Sequence, residues 1–244
     1  ALPGEDYGAL VSIANELRLE DGSQIRPVSH PTNGLSPLFR AHDVTITAQS
    51  GFNADGMGFL GGPGWGGSFT NGMGPGGGIY CTTTNNLYGT AGGGHGGKGG
   101  EPYSGDGKGG AVYGVAEAPI LPGSGGAGHL ANRGGNGGGA ILLDIANRLT
   151  VHGAVTANGG KGNGGGSGGG IFITCDTIDG NGGVIRANAG TLRKNEGGQV
   201  SSGGGGGRVA VIYNSAAQQA LPKPAIRCSA LRGCADPSNK ADAL

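Results

Sequence analysis

The chain has 244 residues, of which 61 are glycine, whereas aromatic residues supply 5% and charged residues 13%. No strict Gly-X-Y period runs through the sequence, which excludes collagen, and apolar runs recur between the glycines, which argues against simple disorder. Sixteen basic and sixteen acidic residues cancel to zero formal charge, so we expect neither nucleic acid nor an anionic membrane surface as a partner.

Composition divides the chain into three segments of one domain. Residues 1–42 form an N-terminal extension, 43–213 the glycine-rich body, and 214–244 a tail that contains proline and cysteine. No run approaches the roughly 18 apolar residues of a membrane span, so we predict no membrane insertion. The chain starts at Ala1 without an initiator methionine or a signal peptide, as a mature chain or a fragment would.

The N-terminal extension contains a candidate assembly strand. Apolar residues at Leu10, Ile13, Leu17 and Leu19 give a strand-like pattern outside the glycine-rich body. We predict that this segment can add to a neighbouring subunit as an extra β-strand. The stretch 13–19 also recurs, with similar residues, at 145–151.

Two further units repeat in the body. In the first unit, an apolar residue is followed by a variable residue, by Ala and then by Asn or Asp, with a glycine close behind. This unit occurs at 52–56, 155–159 and 185–190. The second is a β-rich run directly after glycine; it occurs at 78–82, 139–143, 170–174 and 207–213. Asn, Asp and Gly accept turn conformations cheaply. Each repeat therefore predicts a strand, an Asn/Gly corner, a second strand and a glycine tract.

These repeats predict an all-β fold, a parallel β-helix or β-solenoid with glycine-rich connecting tracts. The tracts could be flexible loops or extended, polyproline-II-like segments packed side by side. We favour packing, because a flexible tract in every repeat would add closure entropy at every turn.

The stretch 43–213 resembles a family of glycine-rich repeat domains in secreted bacterial proteins and in large extracellular proteins of plants and protists. The resemblance is carried by four elements in a fixed order: 44–46 leading into 54–58; 92–97 followed by Tyr113-Gly114 and Pro119; 123–126; and the last glycine tract running into 208–211. It implies an extracellular β-solenoid without an assigned activity.

Two glycine motifs look catalytic. Gly94 to Gly99 fits G-x-G-x-x-G, but Gly99 stands where a phosphate-binding loop would have Ser or Thr, and no strand-to-helix context surrounds it. Gly165 to Gly169 has the spacing of a nucleophile elbow around Ser167, but a β-rich run follows instead of a helix. We interpret both as accidental matches in a glycine-rich chain.

Other polar residues have ordinary structural interpretations. Asp55 and Asp106 lie in turns that could bind calcium, although stabilisation of the turn is the better interpretation. His95 is interpreted as a packing histidine. The sequence predicts no enzyme, no cofactor and no metal site. A polysaccharide lyase, the third-ranked function, would need acids such as Asp176 and Asp179 beside Arg186.

Aromatic residues in or beside the glycine loops are candidates for ligand contact. Trp65, Phe69 and Tyr103 could stack on sugars, which would make the chain an adhesin or a carbohydrate-binding surface module. The alternative is that these rings fill gaps between glycine-rich coils.

The four cysteines permit three pairings in an oxidising compartment. Cys228 and Cys234 are close in sequence and are the candidate disulfide; four buried thiols are the alternative. The favoured function is an extracellular or cell-surface structural protein without catalytic activity. We expect it to be a self-assembling fibril or surface-layer subunit that forms a homo-oligomer or polymer through end-to-end or strand-addition contacts.

Overall fold

The computed structural model describes residues 7–63, 69–82, 88–102, 106–129, 132–192 and 200–234. Strands dominate these ranges, and their one helix, α1 (Ser215–Gln219), has five residues. In chain order the strands are β1 (Ala9–Ser12), β2 (Glu16–Leu19), β3 (Gln24–Ile25), β4 (Pro37–Ala41), β5 (Asp43–Ile46), β6 (Gly51–Asn53), β7 (Phe69–Thr70), β8 (Tyr80–Thr82), β9 (Tyr88–Thr90), β10 (Gly128–His129), β11 (Ala140–Ile145), β12 (Arg148–Val151), β13 (Ala154–Thr156), β14 (Gly170–Thr174), β15 (Thr177–Asp179), β16 (Asn181–Arg186), β17 (Val200–Ser201), β18 (Arg208–Ile212) and β19 (Ala225–Ser229).

Three parallel sheets contain most of these strands. Sheet A has the order β1-β4-β11-β14-β18, sheet B the order β2-β5-β12-β15, and sheet C the order β3-β6-β13-β16-β19. Consecutive strands therefore contribute one strand to each sheet in turn. We call each such set a layer: β1 to β3, β4 to β6, β11 to β13, β14 to β16, and finally β18, α1 and β19. The prediction of an all-β fold is confirmed.

The predicted repeats match equivalent positions in these layers. The related stretches 13–19 and 145–151 both lead into strands of sheet B, β2 and β12. The three Ala-Asn/Asp units follow or overlap β6, β13 and β16 of sheet C, and the runs at 139–143, 170–174 and 207–213 contain β11, β14 and β18 of sheet A.

One expected member of the repeat behaves differently. The run 78–82 forms β8, which pairs antiparallel with β9 in a small separate sheet that also includes β17. Its sequence matches the sheet A strands, but it lies within the long segment between β6 and β11 and has no place in any layer.

The main core lies where the inward faces of the three sheets meet. Strict alternation in β12 buries Leu149 and Val151 and leaves Arg148 exposed. Sheet A differs because it is covered on both faces. Its outer face buries a second cluster containing Leu142 and Phe172, against which Ala118 packs. This explains why β11 reads as an almost continuous apolar run.

The glycine tracts leave sheet C and return to sheet A. They are tied to one another by backbone hydrogen bonds: Gly126 N donates to Gly135 O at 2.9 Å, Gly135 N to Gly164 O at 2.8 Å, and Gly164 N to Ala127 O at 2.9 Å. The packed alternative is therefore the one observed. We call this set of hydrogen-bonded tracts the glycine bundle.

The close approach of the tracts explains why they are glycine. A Cβ on Gly166 would lie 1.9 Å from the carbonyl oxygen of Asn136, and a Cβ on Gly135 would lie 1.9 Å from that of Gly160. Contacts this short are impossible for a real Cβ, so even alanine would force the tracts apart.

Asparagine side chains connect the layers at the corner after sheet C. Asp55 accepts a hydrogen bond from Asn158 N at 2.7 Å, Asn158 Oδ1 from Asn188 N at 2.9 Å, and Asn188 Oδ1 from Leu231 N at 2.9 Å. This asparagine ladder gives the predicted Asn/Asp corners a physical role, because each side chain satisfies a backbone N–H of the next layer.

Candidate assembly faces

The two ends of the layer stack present unpaired strand edges. At the first end, β1, β2 and β3 each pair on one side only, and at the last end β18 and β19 do the same. We call these surfaces the first face and the last face. Within the ranges that the structure describes, no strand covers either of them. Unpaired edges are templates for further strand pairing.

The predicted assembly segment lies on the first face, but it is two strands. Leu10 belongs to β1 and pairs opposite Leu38 in sheet A, whereas Leu17 and Leu19 belong to β2 in sheet B. Ile13 lies between the two strands. Each strand is paired within its own chain on one side, so the segment offers an edge and is not a detached donor strand.

The core reaches the solvent at the first face. Val11 lies opposite the buried Phe39 and is 40% exposed, while Ile13, Leu17 and Ile25 are partly buried against the main core. Among the described residues, these inward positions have a layer on one side and none on the other.

The last face is also apolar at its centre. Val209, Val211 and Ile226 are partly buried against the main core. Cys228 lies opposite the buried Ile185 but is itself exposed. A shallow cleft of about 380 Å³ opens between the two edges, and its walls include Arg208 and Cys228.

Helix α1 covers the remaining edge, that of sheet B. Asn214 caps the helix by accepting hydrogen bonds from Ala216 N and Ala217 N. Gln218 then accepts from Ile178 N at 2.8 Å and donates to Ile178 O at 3.0 Å. Its side-chain amide thus pairs with β15 as the backbone of a neighbouring strand would.

The charges of the two faces differ in sign. The stretch 208–234, which supplies the last face, contains four basic residues and no acidic residue. The stretch 7–28, which supplies the first face, contains three acidic and two basic residues. Opposite net charges favour contact between a first face and a last face over contact between two last faces.

His95 lies in a buried polar cluster where the glycine bundle meets the segment that covers sheet A. Its Nδ1 donates to Gly168 O at 3.0 Å, and its ring lies 4.8 Å from the Tyr113 ring. Burial lowers the pKa of His95 to about 4 and raises that of Tyr113. Tyr113 hydrogen-bonds Pro122 O and Ser124 Oγ. His95 is therefore packed and hydrogen-bonded through Nδ1, as expected of a packing histidine, while its buried Nε2 has no hydrogen-bond partner among the described residues.

The catalytic-looking motifs are used for packing. Gly94 N and Gly99 N donate to carbonyls of the bundle, so those amides are not available to a phosphate. Ser167 is fully buried; its hydroxyl donates to Ser124 O and accepts from Ser124 N. Asp55 is a member of the asparagine ladder.

The acidic residues proposed for a lyase are spread over the corner and two sheets. Asp176 accepts a hydrogen bond from Asn214 Nδ2 at the corner between sheets A and B, Asp179 lies in β15 of sheet B, and Arg186 lies in β16 of sheet C. Within the described ranges, no group of three or more His, Cys, Asp or Glu residues could hold a metal ion.

The candidate ligand-contacting aromatics fall largely outside the described residues. Trp65 and Tyr103 lie there, and of Phe69 only the backbone is described, in β7 opposite His129. Their contact with sugars stays a prediction.

Cys175, Cys228 and Cys234 are free thiols in the structure, and Cys81 and Cys175 are buried. The predicted bond between Cys228 and Cys234 is not formed. The chain after Cys228 stays extended alongside sheet C, with Ala187 N donating to Ser229 O and Ala189 N to Leu231 O. An extended course carries the two cysteines away from each other, whereas a disulfide needs their Cα atoms within about 7 Å.

No family model, curated protein or solved structure matches the chain. In the described part of the chain, no helix has both the length and the apolarity to span a bilayer.

Proposed function

We propose that the chain is an extracellular structural protein whose layers are the coils of a β-solenoid, and that copies stack end to end into a fibril. The observation that carries this proposal is the pair of apolar, unpaired end faces. An extracellular location rests on the resemblance of residues 43–213 to secreted glycine-rich domains.

Stacking would bury the apolar side chains and the strand edges that the two faces expose. A first face placed on a last face would pair β1 with β18 and β3 with β19, and would cover Val11 and Val211 with further apolar side chains. Burial of apolar surface contributes roughly 25 cal/mol per Å² before the cost of ordering the two chains is subtracted. Contact between two different faces leaves one face of each kind free, so it generates a filament when the rotation between copies does not close a ring.

The composition of the chain suits a structural role. Catalytic-looking groups such as Ser167 and His95 are buried and hydrogen-bonded into the bundle. The polar groups at the corners, such as Asn158, bind backbone of the next layer. These contacts stabilise the stack and present no reacting group to solvent.

Sedimentation over a range of protein concentrations tests the proposal. Wild-type protein should form larger species as concentration rises, while Val11→Lys should remain monomeric because its charge would be buried in the junction. Met73→Lys is the matched control, since Met73 is 47% exposed and belongs to the long segment between β6 and β11, outside the strands of both faces. A wild type that is monomeric at every concentration, or equal assembly by both variants, would contradict the proposal.

A further inference from the structure

The chain's own layers show one constant register in sheet A. Leu10 lies opposite Leu38, Leu38 opposite Leu142, Leu142 opposite Phe172, and Phe172 opposite Ala210. This column of side chains begins on the first face and ends on the last. A second copy added in the same register would place its Leu10 opposite Ala210.

Sheet C has an equivalent column that points into the core. Ile25 lies opposite Phe52, Phe52 opposite Val155, Val155 opposite Ile185, and Ile185 opposite Cys228. In the same register, Ile25 of a second copy would cover Cys228. A slip by one residue would turn Ile25 outward, which makes this register strongly preferred wherever one face of the sheet is buried.

Sheet B cannot continue through such a junction. Gln218 already occupies the edge of β15 by bonding both backbone polar groups of Ile178. β2 of a second copy would therefore meet α1 and not a strand. Hydrogen bonding across the junction is restricted to sheets A and C.

The same register fixes a second pair of positions in sheet C. The pairings of β19, β16, β13, β6 and β3 align Arg227 with Gln24, and both residues are exposed.

Resting on the proposed function, the geometry points to a specific partner and register: the last face binds the first face of a second copy of this chain, through sheets A and C alone, with Cys228 opposite Ile25. The asymmetry between sheet B and the other two sheets fixes the rotation of one copy on the next. The junction is thus a continuation of the stack with one strand replaced by α1.

Cysteine cross-linking tests the register. In the double variant Ile25→Cys, Cys234→Ser, the thiol introduced at position 25 of a second copy would meet Cys228 at the spacing of neighbouring strands, about 4.8 Å, which a disulfide can bridge. Within one chain the same two positions are four layers apart, roughly 19 Å, so no internal bond can form. Oxidation with diamide should give a ladder of covalent dimers, trimers and longer species on a non-reducing gel.

The matched control is Leu17→Cys, Cys234→Ser. Leu17 also lies on the first face, but in sheet B, where α1 and no cysteine would be opposite; this variant should give no ladder. Removing the acceptor with Cys228→Ser should abolish the ladder of the Ile25→Cys protein. A ladder from Leu17→Cys, or none from Ile25→Cys in a sample that sediments as polymer, would overturn the register while leaving end-to-end assembly intact. A wild type that never polymerises would instead overturn the proposed function.

Discussion

In the strand layers, apolar side chains such as Ile171 and Leu149 fill the interior, whereas in the glycine bundle the interior is filled by the backbone itself. Removing side-chain volume should therefore destabilise the layers, whereas adding side-chain volume should destabilise the bundle. The two regions share one backbone path, because the glycine tracts link sheet C of one layer to sheet A of the next. A chain with few large side chains can still bury much of its length when part of the structure packs backbone against backbone.

Adding one methyl group to the bundle should have the largest effect. Gly166→Ala places Cβ 1.9 Å from Asn136 O, with backbone atoms of Asn136 and Gly135 as the nearest neighbours. We expect a destabilisation of about 5 kcal/mol or a failure to fold, because these neighbours are backbone and cannot rotate away. Urea unfolding followed by circular dichroism measures the effect.

Gly97→Ala is the control for that change. Its Cβ would lie 3.4 Å from the nearest atom, an ordinary contact, so we expect a change within about 0.5 kcal/mol. Equal losses at Gly166 and Gly97 would show that the bundle is not closely packed.

Removing volume from the layers should cost slightly less. Ile171→Ala deletes a fully buried side chain from β14 and should destabilise the protein by about 4 kcal/mol through lost burial and the cavity left behind. Val115→Ala, at a position 59% exposed, should change the free energy of unfolding little. Comparable effects at the two positions would contradict a side-chain core between the sheets.

Acid should weaken the bundle through His95. The pKa of His95 is lowered to about 4 in the folded protein, from the ordinary value of 6.5, so between these values the unfolded chain binds a proton that the folded chain does not. The contribution of His95 to stability should be constant above pH 6.5 and fall by about 3 kcal/mol as the pH drops to 4.

A histidine variant isolates this contribution. His95→Gln should flatten the dependence of unfolding free energy on pH between 6.5 and 4. A slope that survives His95→Gln would assign the acid sensitivity to other groups.

Breaking the asparagine ladder should have the smallest of these effects. Asn158→Ala removes the acceptor for Asn188 N and should cost about 1 kcal/mol, the usual net value of one hydrogen bond. Asn158→Asp keeps an acceptor oxygen and should be closer to the wild type. An aspartate variant as unstable as the alanine variant would argue against an acceptor role for the side chain.

Much of the layered part of the fold was predictable because its signals repeat. The runs beginning near 140, 171 and 208 predicted β11, β14 and β18, and the Ala-Asn units predicted the corners after sheet C. The same local pattern failed at 78–82, since β8 pairs with β9 by antiparallel contacts. Periodicity describes which face of a strand is buried, but it does not determine which strand lies beside it.

The candidate site was less accessible to sequence reasoning. The alternation around Leu10 and Leu17 predicted strand character. It did not predict that the segment divides into β1 and β2, because the turn between them is recognisable only by its alignment with the equivalent turns of later layers. No sequence pattern indicated the role of Gln218. Its side-chain amide takes the place of a neighbouring strand's backbone, and this is recognisable only once the free edge of β15 is known. Recurrence of Asn at equivalent corner positions was the signal that could have revealed the asparagine ladder.

Electron cryomicroscopy of concentrated protein tests the central claim most directly. Five layers at about 4.8 Å each predict a filament that advances about 24 Å per subunit, with the strand spacing of sheets A and C continuous across every junction. That result would establish the end faces as the assembly surface. Dispersed single molecules at every concentration, or a filament whose advance per subunit is unrelated to five strand spacings, would contradict it.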